Sequence, residues 1–185
     1  IENGNGVTYG ADFFARLITS RNYFTINYSY SRSFRKFDAI NGGEWYKYIY
    51  DRPHNVSIVN SYKITPELSF SVSFMYNSGS AYTPTVGMYY FGNSILAEYG
   101  VKNSARMAAY HRLDAGVNWL FKKTSKSKQS LGISIINIYN RSNPIYIYQS
   151  YDREYFQKNN AFKMIQKDGA NLPFLPALTY SLELL

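Results

Sequence analysis

Leu68-Ser69-Phe70-Ser71-Val72-Ser73-Phe74-Met75-Tyr76-Asn77 is the clearest pattern in the chain. Leu68, Phe70, Val72, Phe74 and Tyr76 share one parity, and Ser69, Ser71, Ser73 and Asn77 share the other. Successive side chains of a β-strand point to opposite faces, so a period of two gives one strand an apolar and a polar surface. A helix would scatter the same residues around its circumference. The polar parity is small and uncharged, whereas the solvated face of a soluble sheet usually carries more charge. Such residues suit a crowded or water-filled interior.

The same alternation recurs on both sides of this stretch. Val7, Tyr9, Ala11, Phe13, Ala15 and Leu17 alternate with Thr8, Gly10, Asp12, Phe14 and Arg16. Phe24, Ile26, Tyr28 and Tyr30 alternate with Thr25, Asn27, Ser29 and Ser31, and Val56, Ile58 and Tyr62 with Asn55, Ser57 and Ser61. Further on, Leu113, Ala115, Val117, Trp119 and Phe121 oppose Arg112, Asp114, Gly116 and Asn118. Leu178, Tyr180, Leu182 and Leu184 oppose Thr179, Ser181 and Glu183. Residues 131–138 alternate and then slip phase at Ile135-Ile136, which predicts a β-bulge. The reading is an all-β chain of about seven antiparallel strands with no helix.

The connections alternate in length. Thr19-Ser20-Arg21-Asn22, Ile64-Thr65-Pro66-Glu67 and residues 122–128 are short, whereas residues 34–52, 79–110 and 149–172 are long. Short turns at one end and long loops at the other is the pattern of outer-membrane β-barrels, where the short turns are periplasmic and the long loops external. A soluble β-sandwich binding module, the competing all-β reading, has no reason to obey it. On the barrel reading, strands starting near Val7, Asn55, Tyr110 and Leu178 run inward and those near Asn22, Leu68 and Ser130 run outward. Bacterial single-chain barrels have an even strand number. Seven strands alone would leave two open edges in lipid, each unsatisfied backbone group costing several kcal/mol. Together with the loop-like start Ile1-Glu2-Asn3-Gly4-Asn5-Gly6, this makes residues 1–185 the expected C-terminal portion of one larger transmembrane barrel domain.

Composition agrees with this reading. Twenty Tyr, 12 Phe and 2 Trp form a side-chain set suited to lipid–water interfaces. The absence of cysteine removes disulfides and Cys-based zinc sites. Mean hydropathy is -0.34, and no apolar run approaches the ~18 residues of a spanning helix. Spanning strands escape such measures, because only every second residue meets lipid. The net charge of +8 does not signal nucleic acid: the main basic run, Lys122, Lys123, Lys126 and Lys128, lies in a short turn without interleaved aromatics.

Several phrases at strand–loop junctions add to this. They are Asp51-Arg52-Pro53-His54, Ser78-Gly79-Ser80-Ala81-Tyr82-Thr83-Pro84, and Asn103-Ser104-Ala105-Arg106 leading to Tyr110-His111-Arg112-Leu113-Asp114. Tyr139-Asn140-Arg141-Ser142-Asn143-Pro144 and Leu172-Pro173-Phe174-Leu175-Pro176 follow. In this order and spacing, from about Gly6 to Leu184, the chain resembles the C-terminal strands of TonB-dependent outer-membrane receptors of the Bacteroidota type. The resemblance implies a barrel of about 22 strands around an N-terminal plug. It implies active import of a scarce ligand (siderophore, cobalamin, glycan or peptide), with TonB engaged through the plug. It also implies a Gram-negative outer-membrane location. Expected partners are membrane lipid, the rest of the barrel, the plug, and a surface lipoprotein or larger complex on the loops. No cofactor is expected. Other outer-membrane barrels, such as a porin or a secretion or assembly component, are the nearest alternative.

Candidate residues fall into two groups. Asp12, Arg16, Arg112, Asp114 and Glu183 lie on the polar parity and are expected to face the lumen. Arg112 and Asp114 point to the same face and are expected to form a structural ion pair; His111-Arg112-Leu113-Asp114 lacks the contiguous His-Arg-Asp of a kinase loop. The second group is aromatic and sits on the long loops: Trp45, Tyr46, Tyr48, Tyr89, Tyr90, Phe91, Tyr151 and Tyr155. These are candidates to stack on a ligand or partner. His54 and His111 stand at strand starts without a second ligand at metal spacing, so a hydrogen bond at the rim is expected of each. No catalytic set and no metal site can be assembled.

Overall fold

The computed structural model describes residues 3–92, 94–159 and 164–184. In chain order the strands are β1 (Asn5–Ile18), β2 (Asn22–Lys36), β3 (Tyr46–Lys47), β4 (His54–Lys63), β5 (Leu68–Asn77), β6 (Ala81–Tyr82), β7 (Thr85–Phe91), β8 (Ser94–Tyr99), β9 (Ala105–Arg106), β10 (Tyr110–Lys123), β11 (Ser127–Ile136) and β12 (Asn143–Tyr151). Helix α1 (Arg153–Asn159), β13 (Met164–Asn171) and β14 (Leu175–Leu184) follow. The main sheet runs β1-β2-β4-β5-β10-β11-β14, each strand antiparallel to its neighbour, with short β3 added beside β2. Its seven long strands are those the alternation predicts.

The register puts every apolar parity on the same face. One ladder row reads Leu17, Phe24, Asn60, Val72, Ala115, Ile135, Pro176. The adjacent row, pointing the other way, reads Ile18, Tyr23, Ser61, Ser71, Gly116, Ser134, Ala177. A one-residue slip at any pair would invert everything beyond it. Asn60, the amide in the apolar row, donates to Asn22 Oδ1 at 2.8 Å and so is not left unpaired.

The turns explain why the short connections gather at one end. Thr19, Thr65 and Thr124 each open one of them. Each Thr Oγ1 accepts the backbone N–H three residues on, from Asn22, Leu68 and Ser127 at 2.9, 3.0 and 3.0 Å. A hydroxyl that mimics a backbone acceptor closes a tight turn without requiring positive φ.

Among the described residues the sheet has no second layer. Among the described residues the only buried hydrophobics are Tyr46 and Ala81, and large side chains of the apolar face such as Phe13, Trp119, Ile133 and Leu178 are exposed. The largest fully buried side chains among the described residues are polar, Asn137, Asn143 and Asp51, and all lie in or beside the long connections.

Three expectations need correction. The chain does contain a helix: α1 is short, with Asp152 Oδ1 accepting the Tyr155 N–H at 3.1 Å and Glu154 and Lys158 complementing its ends. The phase slip at Ile135-Ile136 is not a bulge but the end of β11, since Asn137 takes φ 58. In the main sheet the register shift lies in β10, between Leu120 and Lys122. Finally, the long connections are not plain loops. They carry the pairs β7–β8, β12–β13 and β6–β9.

Candidate functional site

The long-loop end is built around a buried carboxylate. Asp51 Oδ1 accepts the Ser33 N–H at 2.8 Å and Arg32 Nε at 3.2 Å, while Oδ2 accepts Arg106 Nη2. Arg106 Nη1 also donates to the Asp51 carbonyl and, at 2.7 Å, to that of Gly79. Burial alone would push the Asp51 carboxyl up; the bonds from Ser33, Arg106 and Arg32 overcome it and hold it below the usual carboxylate range.

This cluster joins the loop of residues 37–53 to that of 78–109, and other contacts repeat the joint. Asn103 Nδ2 donates to the Lys47 carbonyl at 2.8 Å, the Lys102 N–H to Asn41 Oδ1 at 2.8 Å, and Lys47 Nζ to the Ser104 carbonyl at 3.2 Å. Asn41 and Asn103 both take positive φ, which Asn tolerates better than most residues. Gly79 packs so closely that a Cβ there would run into the Met107 carbonyl oxygen. Gly79→Val is therefore expected to lower stability by about 1–3 kcal/mol. Gly132→Ala, where the nearest atom is 3.7 Å away, should leave the unfolding temperature in detergent nearly unchanged.

The third long connection is anchored by asparagines. Asn137 Nδ2 donates to the carbonyls of Arg141 and Leu172 at 3.0 and 2.8 Å. Asn143 brackets His111, accepting its N–H and donating to its carbonyl, both at 3.0 Å. His54 is held in a similar way by Ser78, whose Oγ accepts the His54 N–H at 3.1 Å. Each imidazole also meets a phenol: His54 Nδ1 lies 2.9 Å from Tyr28 Oη, and His111 Nδ1 lies 2.8 Å from Tyr139 Oη. Both histidines thus make a hydrogen bond at the long-loop end of the sheet, as expected of each.

Arg112 and Asp114 form the expected ion pair, Nη2 to Oδ2 at 2.9 Å, and Asp114 Oδ1 accepts the Asn137 N–H at 2.8 Å. That second bond makes Asp114 a strut for the turn after β11. Asp12, Arg16 and Glu183 share the polar face of the sheet with this pair, but the structure does not gather them into one site. Arg16 lies over the Phe14 ring at 5.1 Å, and Glu183 meets Lys128 in an exposed pair at 3.2 Å.

The aromatic candidates divide differently. Trp45, Tyr89, Phe91 and Tyr155 are exposed. Tyr46 is buried on β3, which leaves it little surface to offer a ligand. Tyr48 is half-buried beneath the Arg35 guanidinium, 4.3 Å from its ring centre. The side chains of Tyr90 and Tyr151 lie outside the described residues.

Two cavities open beside the Asp51 cluster. The smaller, of 300 Å³, is lined by Met75, Asn77 and Tyr110 of the polar face together with Arg52, Ser80 and Met107. The larger, of 570 Å³, shares those last three residues and adds Tyr50, Tyr82, Thr85, Tyr99 and Ile147. Both fall in or near the usual size range of small-ligand sites. Neither cavity was legible in the sequence, because its walls come from several segments far apart in the chain. Among the described residues, no group of three or more His, Cys, Asp or Glu side chains is placed to hold a metal. No family model, curated protein or solved structure matches the chain.

Proposed function

We propose that the chain forms part of the wall and external loops of a TonB-dependent outer-membrane receptor, and that its role is import rather than catalysis. The observation that carries this is the single-layer sheet whose apolar face is bounded by two rows of aromatics. Near the long loops stand Tyr28, Tyr30 and His54, and then Tyr76, His111 and Tyr139, all in ring contact with a neighbour. Near the tight turns stand Trp119, Phe121 and Tyr180. From His111 to Trp119 the strand climbs roughly 26 Å at ~3.3 Å per residue, or about 20 Å of thickness at a ~40° tilt. Aromatic girdles around an apolar band are the outer surface of a spanning barrel. The small polar face, with Ser, Asn and Gly predominating, suits a wet interior, and the long-loop cleft suits ligand capture.

A soluble sandwich would need a second sheet over the apolar face, and the described residues supply none. The receptor reading is tested on the protein in its native membrane. It should fractionate with the outer membrane, run as a heat-modifiable species far larger than 21.4 kDa, and yield plug-domain peptides by mass spectrometry. A heat-modifiable barrel without a plug would favour a porin or an assembly component. A soluble species of the chain's own mass would overturn the membrane reading altogether.

A further inference from the structure

We propose that the larger cleft binds a small ligand that carries a carboxylate on an aromatic body. The inference rests on the receptor reading only in taking the cleft as the place of ligand capture. Among the described residues, Arg52 is the sole charged residue lining either cavity. Its Nε donates to Ser80 Oγ at 3.0 Å, and among the described residues no carboxylate pairs with it. With Nε held, the two terminal nitrogens remain as a planar fork, the geometry that grips a carboxylate in two parallel bonds. The backbone beneath is fixed: the Arg52 carbonyl accepts from Asn55 Nδ2 at 3.3 Å and from Ser31 Oγ at 3.5 Å, and Pro53 follows.

The rest of the wall calls for an aromatic body. Tyr50 and Tyr99 line the cleft and are 68% and 66% exposed, a large amount of open ring surface. Tyr50 is oriented by an edge contact with Tyr48, centroids 5.3 Å apart. Ile49, Ile145 and Ile147 line the same space.

The test titrates the full protein in detergent with 2-naphthoate, with its neutral amide and with acetate, read by ligand-observed NMR. Naphthoate should bind about 10- to 100-fold more tightly than the amide, the usual worth of a charge-assisted pair. Arg52→Gln should erase that preference, Arg52→Lys should keep part of it, and Tyr99→Leu should weaken acid and amide alike. Each variant is used only if its heat-modifiable band is retained. Equal binding of acid and amide, or a preference that survives Arg52→Gln, overturns the site. Acetate matching naphthoate overturns the aromatic half. A membrane-embedded, plug-bearing protein without the preference loses the site and keeps the receptor reading. The preference in a protein soluble without detergent does the reverse.

Discussion

Asp51→Asn should be among the most damaging single substitutions at the long-loop end. The carboxylate is 1% exposed and takes bonds from two guanidinium groups and a backbone N–H. Removing one partner of a buried ion cluster leaves the others uncompensated, a loss of about 3–5 kcal/mol. The substitution keeps size and shape, so the effect reports charge. Arg106 loses its carboxylate partner at the same time, which weakens the joint between the loop of residues 37–53 and that of 78–109. Limited proteolysis in detergent should therefore cut both loops faster, while strands β4 and β5 stay intact. Unchanged cleavage would mean that the cluster does not hold the loops.

The pH dependence has a definite sign. Because the folded carboxyl is held below its ordinary range, its contribution is fully present above the unfolded value of about 3.9 and is lost as pH falls through the folded value. Wild-type loops should become protease-sensitive only below about pH 4. Asp51→Asn should show that sensitivity already at neutral pH and change little on acidification.

The seven long strands were legible because each carries one repeating signal over much of its length, and tertiary packing did not have to override it. The long-loop end was only half legible. Phrases such as Asn103-Ser104-Ala105-Arg106 and Tyr139-Asn140-Arg141-Ser142-Asn143-Pro144 stood out without revealing why. In the structure they supply the left-handed asparagines, Arg106 on Asp51, and Asn143 around His111. What joins them is remote in sequence: Arg106 lies 55 positions from Asp51, and Leu172 lies 35 from Asn137. Alternation carries no information about such contacts. The pair β7–β8 was missed because Met88-Tyr89-Tyr90-Phe91 has no polar parity to reveal a strand. In the same way Ile138 seemed to prolong β11, although Asn137 turns the chain away from it.

Val72→Arg is the second large expectation, and it separates the two faces of one strand. Val72 lies in the middle row of the apolar face, between the aromatic rows, and Ser71 beside it points the other way. Within a bilayer an arginine at mid-depth on the lipid face costs about 2–4 kcal/mol, whereas one facing a wet interior costs little. Val72→Arg should thus lower the temperature at which the heat-modifiable band unfolds, and Ser71→Arg should leave it nearly in place. A buried sandwich core would also reject Val72→Arg, so destabilisation alone does not decide the environment. Spin labels at the two positions do. On a spanning wall, a label at position 72 is relaxed by oxygen dissolved in lipid, and one at position 71 by a water-soluble nickel chelate. In a sandwich, position 72 is shielded from both reagents. An apolar face open to water would let the chelate reach position 72, and the lipid-facing wall would then have to be abandoned.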